Sequence, residues 1–143
     1  MKPFEWKVQY YETDQMGIVH HSNYIRWFES ARIDFLEQLG IPYHKMEQSG
    51  IISPVISVEC KYRQMTRFGE TVVIIPTLKS YNSIRYVVSY EVRNKETGEL
   101  NATGETAHCF LNKSGKLTAL KKELPDMDAI LGAQLSPSGD VPS

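Results

Sequence analysis

The chain has 143 residues, 41% of them hydrophobic and 23% charged, with a formal net charge of −1. This length suits one domain, expected over residues 1–133 with a loose Ser/Pro/Gly-rich tail at 134–143, and such a domain buries about 68% of its unfolded surface without staples. The near-zero charge excludes a general attraction to nucleic acid or anionic membranes, no apolar run reaches spanning length, and the N-terminus lacks an apolar signal core, so a cytoplasmic location is expected.

Phe4, Trp6, Val8 and Tyr10 alternate with Glu5, Lys7, Gln9 and Tyr11, which predicts a half-buried strand over 4–11. The period then changes. From Ser22 onward, Tyr24, Trp27, Phe28, Ala31, Phe35 and Leu39 recur at spacings of three and four, with Ile25, Ile33 and Leu36 widening the stripe. This predicts a long helix buried on more than one side, N-capped by Ser22 or Asn23 and ended by Gly40 with Pro42 beyond. Residues 42–50 form either a short helix or a loop closed by Gly50.

Strand chemistry follows. In 55–64, Ile56, Val58, Cys60 and Tyr62 share a face. The β-branched run 70–81 is interrupted by Pro76, which calls for a sheet edge or a bulge. Strands at 83–94 and 100–112 flank a hairpin turn containing Gly98, a second turn lies at 112–116, and 123–134 is predicted as a short final helix with Pro125 in its first turn. One helix against a single antiparallel sheet makes an α+β domain, and the outward sheet face calls for cover by another copy. Cys60 and Cys109 have no zinc or CxxC spacing and are read as two buried thiols.

The joint between first strand and helix, TDQMGIVHHSNY, collects Asp14, Gly17, His20, His21 and Ser22. A helix start offers N–H groups without intrahelical partners and a positive dipole end, which suit a developing oxyanion. Gly17 lets backbone approach a ligand, and a carboxylate beside such donors suits acyl transfer to water, as general base or nucleophile. Asp14 alternatively caps the turn as an Asx motif. His20 and His21 are adjacent, so their side chains are expected to diverge rather than chelate, and no metal site is assembled from His44 or Glu29. His108 is read as a satisfied sheet residue, and Glu29 and Arg32, three apart on the helix, as a pair. No nucleophile elbow, phosphate-binding loop or dinucleotide fingerprint is present.

The run from Tyr10 to Gly40, with Asp14, Gly17, Ile18, Val19, His20, His21, Asn23, Tyr24, Phe28 and Glu29 in order, closely resembles the hot-dog-fold acyl-CoA thioesterases of the 4-hydroxybenzoyl-CoA thioesterase type. The similarity extends over residues 4–120. It implies a sheet wrapped around one long central helix and a hydrolase that needs no metal or redox cofactor, coenzyme A being part of the substrate. It implies Asp14 as the catalytic carboxylate, with the His21 backbone N–H as oxyanion donor and its imidazole also implicated. Gly17 would shape the turn and Tyr24 would line the acyl pocket, while Arg67, Asn82, Ser83 and Arg85 would be candidates for the coenzyme A nucleotide. Such relatives usually carry Asp at the position of Glu12, a change that touches local turn geometry. They form homodimers with a continuous sheet and an active site between subunits, often paired into homotetramers. Two alternatives stand beside this reading: a hot-dog dehydratase or hydratase, and a non-catalytic acyl-CoA or acyl-carrier binder. The acyl group itself is not legible.

Overall fold

Alternation in the sequence becomes five strands, and the 3.6-residue period becomes one long helix. The computed structural model describes residues 2–135; of the tail expected at 134–143, everything from residue 136 lies outside them. In chain order come β1 (Phe4–Lys7), α1 (Ser22–Gln38), α2 (Tyr43–Gln48), β2 (Val55–Tyr62), β3 (Thr71–Tyr81), β4 (Arg85–Asn94), β5 (Leu100–Cys109), α3 (Leu120–Glu123) and α4 (Pro125–Gln134). The strands form one antiparallel sheet in the order β1-β3-β4-β5-β2, so β1 and β2 are its edges. This is the expected α+β, hot-dog arrangement.

The core lies where α1 meets the sheet. Tyr24, Trp27, Phe28, Ala31, Phe35 and Leu36 are buried at helical spacing, and Phe28 stacks on Tyr90 at 4.4 Å between ring centroids. That stack depends on Gly104. A Cβ there would come within 2.3 Å of the Phe28 ring and 2.8 Å of the Glu59 carbonyl oxygen. At its far end α1 closes as expected: Gly40 takes φ +89°, its N–H reaches the Glu37 carbonyl at 3.0 Å and that of Ile41 reaches Leu36 at 2.9 Å.

Several expectations are corrected. β1 stops at Lys7, because the Glu12 carboxylate accepts the Gln9 N–H and winds Tyr10–Glu12 into a 3-10 turn. Tyr10 therefore leaves the core face and is 78% exposed. Ile25, placed in the buried stripe, is exposed. The final helix forms with Pro125 in its first turn, as expected, but a separate helical turn, α3, precedes it. Pro125 divides the two, having no N–H and pushing Leu124 out of helical geometry, to φ −139° and ψ 73°. Pro76 satisfies both options offered for it: β1 reaches only to Ile74, leaving β3 unpaired on that side, and a bulge follows between Leu78 and Ser80.

Nor does the exposed apolar surface gather on the outward sheet face, for which cover by another copy was expected. The outward sheet face carries Lys79 paired with Glu105 and Arg93 with Glu91 at 2.9 Å. The bare side chains belong instead to β2, where Val55, Ile56, Val58 and Tyr62 are exposed on the free edge. Val58 and Tyr62 sit opposite Thr106 and Ala102, on the helix side of the sheet, and stay exposed although Tyr24 of α1 stands against Tyr62. Cys60 and Cys109 are free thiols, Cys109 buried and Cys60 only half-buried.

Arg32 and Glu29 do pair, but Arg32 is 98% buried mid-helix and also donates from Nη1 to the Tyr86 hydroxyl at 2.9 Å. His108 stacks on the same tyrosine at 4.7 Å. It is only half satisfied: Nε2 bonds Thr106 Oγ1 at 2.8 Å, whereas Nδ1 has no partner among the described residues. Burial, aided by the Arg32 cation, lowers its pKa from the usual 6.5 to about 3. The unfolded imidazole takes up a proton near pH 6.5 and the folded one does not, so stability should fall as pH drops from about 6.5 towards 3. His108→Gln should flatten that fall. Urea midpoints at pH 7.5 and 4.5 check this, and an unchanged difference between the two midpoints would refute it.

Candidate active site

The segment between β1 and α1 is a closed loop. Thr13 bridges Val19, the Asp14 N–H donates to the Ile18 carbonyl at 2.8 Å, and the Gly17 N–H returns to the Asp14 carbonyl at 3.0 Å. Gly17 makes the reversal in the left-handed region, at φ +74°, where a side chain is strained. The loop is pinned to the segment before β3 by Val19 N–H to Thr66 O at 2.8 Å and Phe68 N–H to Gly17 O at 3.0 Å.

Asp14 does cap this loop in the Asx manner: its Oδ1 accepts the Met16 N–H at 2.8 Å and the Ile18 N–H at 3.2 Å. Its Oδ2 has no hydrogen-bond partner among the described residues. The cap and the cleft are compatible, since the same side chain lines a cleft of about 360 Å³ with Val19, His20, His21, Tyr24, Tyr62 and Met65.

The start of α1 differs from expectation. The cap position is His21, not Ser22 or Asn23. The Ser22 N–H goes to the His20 imidazole Nδ1 at 3.2 Å, and the Ser22 hydroxyl contacts the same nitrogen at 2.9 Å. Asn23 turns its amide back to the Glu12 carbonyl at 2.9 Å. With the N–H groups of Ser22, Asn23 and Tyr24 all engaged, the His21 N–H alone in this stretch has no acceptor among the described residues. The two imidazoles do not diverge: they stack at 4.1 Å. Among the described residues no three His, Cys, Asp or Glu side chains converge as a metal site.

Tyr24 forms the cleft floor, buried, its hydroxyl donating to Thr66 Oγ1 at 2.9 Å. Burial raises its phenol pKa, which keeps it protonated. Tyr62, from the end of β2, stands edge-on to Tyr24 at 5.0 Å and donates to the His21 carbonyl at 3.2 Å; desolvation and the adjacent Cys60 thiol push its pKa up to about 12. The sequence put Tyr62 on one strand face with Ile56, Val58 and Cys60, but nothing local to it signalled a place beside residue 21.

The remaining candidates do not gather here. Arg67 bridges Ile18 through its backbone, and its side chain is exposed. Asn82, Ser83 and Arg85 lie at the other end of the sheet. Tyr62 pairs with Ala102 but Arg85 with Cys109, a separation of about 24 Å along β5 at 3.4 Å per residue. Ser83 is moreover buried under α3, its Oγ accepting the Lys121 N–H at 2.8 Å, and Asn82 Oδ1 closes its own turn by accepting the Ile84 and Arg85 N–H groups. Of this turn only Ser83 is covered; Asn82, Ile84 and Arg85 stay exposed.

Residues 8–135 match the model of the thioesterase-like superfamily. The chain is 37% identical over 123 residues to YneP of Bacillus subtilis, provisionally named an acyl-CoA thioesterase, covering 85% of this chain and 88% of that one. Among solved structures, a DHNA-CoA thioesterase from Staphylococcus aureus superposes with a TM-score of 0.91 at 33% identity, covering 99% of this chain and 96% of the other. A hypothetical protein from Thermus thermophilus gives 0.86 at 35% identity, with coverages of 94% and 99%. No helix among the described residues is long and apolar enough to cross a membrane.

Proposed function

The chain belongs to the thioesterase-like superfamily, and we propose that it is an acyl-CoA thioesterase, converting a coenzyme A thioester and water to the carboxylic acid and free coenzyme A. The observation that carries this is the meeting in one cleft of the Asp14 carboxylate and the His21 backbone at the start of α1. A thioester carbonyl seated there would direct its oxygen to the His21 N–H, which has no acceptor of its own among the described residues. Asp14 would take the proton of the attacking water, the tetrahedral intermediate collapsing to the acid with loss of the thiolate, which takes up that proton. Or Asp14 would itself attack the carbonyl carbon and expel the thiolate, and water would then hydrolyse the resulting mixed anhydride to release the acid and restore the carboxylate. The stacked His20 and His21 rings sit at the same mouth. These groups supply a base, an oxyanion donor and a pocket, so no cofactor enters the scheme. Relatives named for acyl-CoA or DHNA-CoA hydrolysis support the substrate class.

In this reading Asn82 and Arg85 serve the cleft of a second copy, since the length of the sheet separates them from their own. The bare apolar edge of β2 favours such pairing through a continuous sheet. Thiol release from a panel of short, long and aryl coenzyme A esters tests the proposal. Turnover of at least one ester with free coenzyme A appearing is expected, and binding without thiol release, or loss of a C–O bond with the thioester intact, would overturn it.

A further inference from the structure

Glu12 precedes the catalytic loop and touches none of the groups assigned above to chemistry. It is nevertheless 96% buried, and it has no ion-pair partner among the described residues. Three N–H donors hold its carboxylate instead. Oε1 accepts the Trp6 indole and the Gln9 backbone, each at 2.8 Å, and Oε2 accepts the Trp27 indole at 2.9 Å. The side chain thereby ties β1 and α1 together through their tryptophans. Its own carbonyl accepts the His20 N–H at 2.9 Å and the Asn23 amide at 2.9 Å. One residue thus anchors both ends of the loop that carries Asp14 and His21: Asp14 is two residues downstream, and His21 follows the His20 amide that Glu12 holds.

We infer that Glu12 is a positioning residue for the thioesterase chemistry, setting the separation between the Asp14 carboxylate and the His21 N–H; this rests on the function proposed above. A carboxylate is suited to the task because it only accepts, and every group facing its oxygens is a donor. A glutamine of the same size must turn its NH₂ towards one of those donors.

The full-length Glu12→Gln variant tests this, assayed well below its melting temperature. A fall in kcat of about 10- to 100-fold is expected, the scale for small misplacement of reacting groups, with KM within about twofold of the parent. Amide hydrogen exchange at Ile18 and His20 should speed up in the same variant, and this readout does not depend on catalysis. Trp27→Phe leaves the carboxylate in place and removes one donor, so it should give a smaller loss of the same kind and serves if Glu12→Gln does not fold. Unchanged exchange at His20, or an unchanged kcat in a folded variant, overturns the inference. Faster exchange in an enzyme whose parent releases no thiol from any ester would leave Glu12 as the loop anchor and reject the functional reading instead.

Discussion

Asp14→Asn is expected to leave the fold intact and remove most turnover, by about 10² to 10⁴ in rate if Asp14 is the base. The substitution is unusually clean because the two loop bonds use a single oxygen. The amide oxygen of the introduced asparagine can still accept the Met16 and Ile18 N–H groups, so the Asx turn survives while the other carboxylate oxygen, the base in the proposed scheme, becomes an NH₂. Asp14→Ala removes both functions and should lose activity together with thermal stability. The discriminating measurement is thiol release alongside the melting curve. A folded Asp14→Asn variant that retains parental turnover rejects Asp14 as base or nucleophile, whatever the alanine variant does.

The largest stability effect should come from the contact between helix and sheet. Phe28 is fully buried, stacked on Tyr90 and seated on the space left by Gly104. Phe28→Ala should cost about 3–5 kcal/mol, a large part of the stability of a domain this size. Gly104→Ala should cost about 1–3 kcal/mol by overpacking, since its Cβ would come within 2.3 Å of the ring edge. The two changes share one space, so they should couple: the double variant should be less destabilised than the sum, with Glu59 O still crowding the new methyl and preventing full rescue. Urea unfolding at constant m-value reads the coupling, and strict additivity would show that the ring and Gly104 are not packed as described.

Much of this architecture was legible because it depends on neighbours along the chain. The apolar stripe from Tyr24 to Phe35, the left-handed stop at Gly40 and the β4–β5 hairpin around Gly98 are all written in short-range spacing, and each formed where expected. The loop from Asp14 to His21 was legible as a polar joint for the same reason. Local signals misled where a distant partner overrode them. Tyr10 continues the alternation of β1, yet the Glu12 carboxylate, held by Trp27 from the helix, winds that segment into a turn. Ser22 and Asn23 have cap chemistry, yet the fold gives the cap position to His21 and turns Asn23 to Glu12.

What only the tertiary structure decided is which residues share a space. Spacing established antiparallel strands but not the order β1-β3-β4-β5-β2, and that order carries Tyr62 to the cleft and sends the Asn82–Arg85 turn to the opposite end of the sheet. Periodicity reports which way a side chain faces on its own element, because that follows from backbone geometry within a few residues. The company it keeps there depends on strand pairing across tens of residues, which no local period encodes.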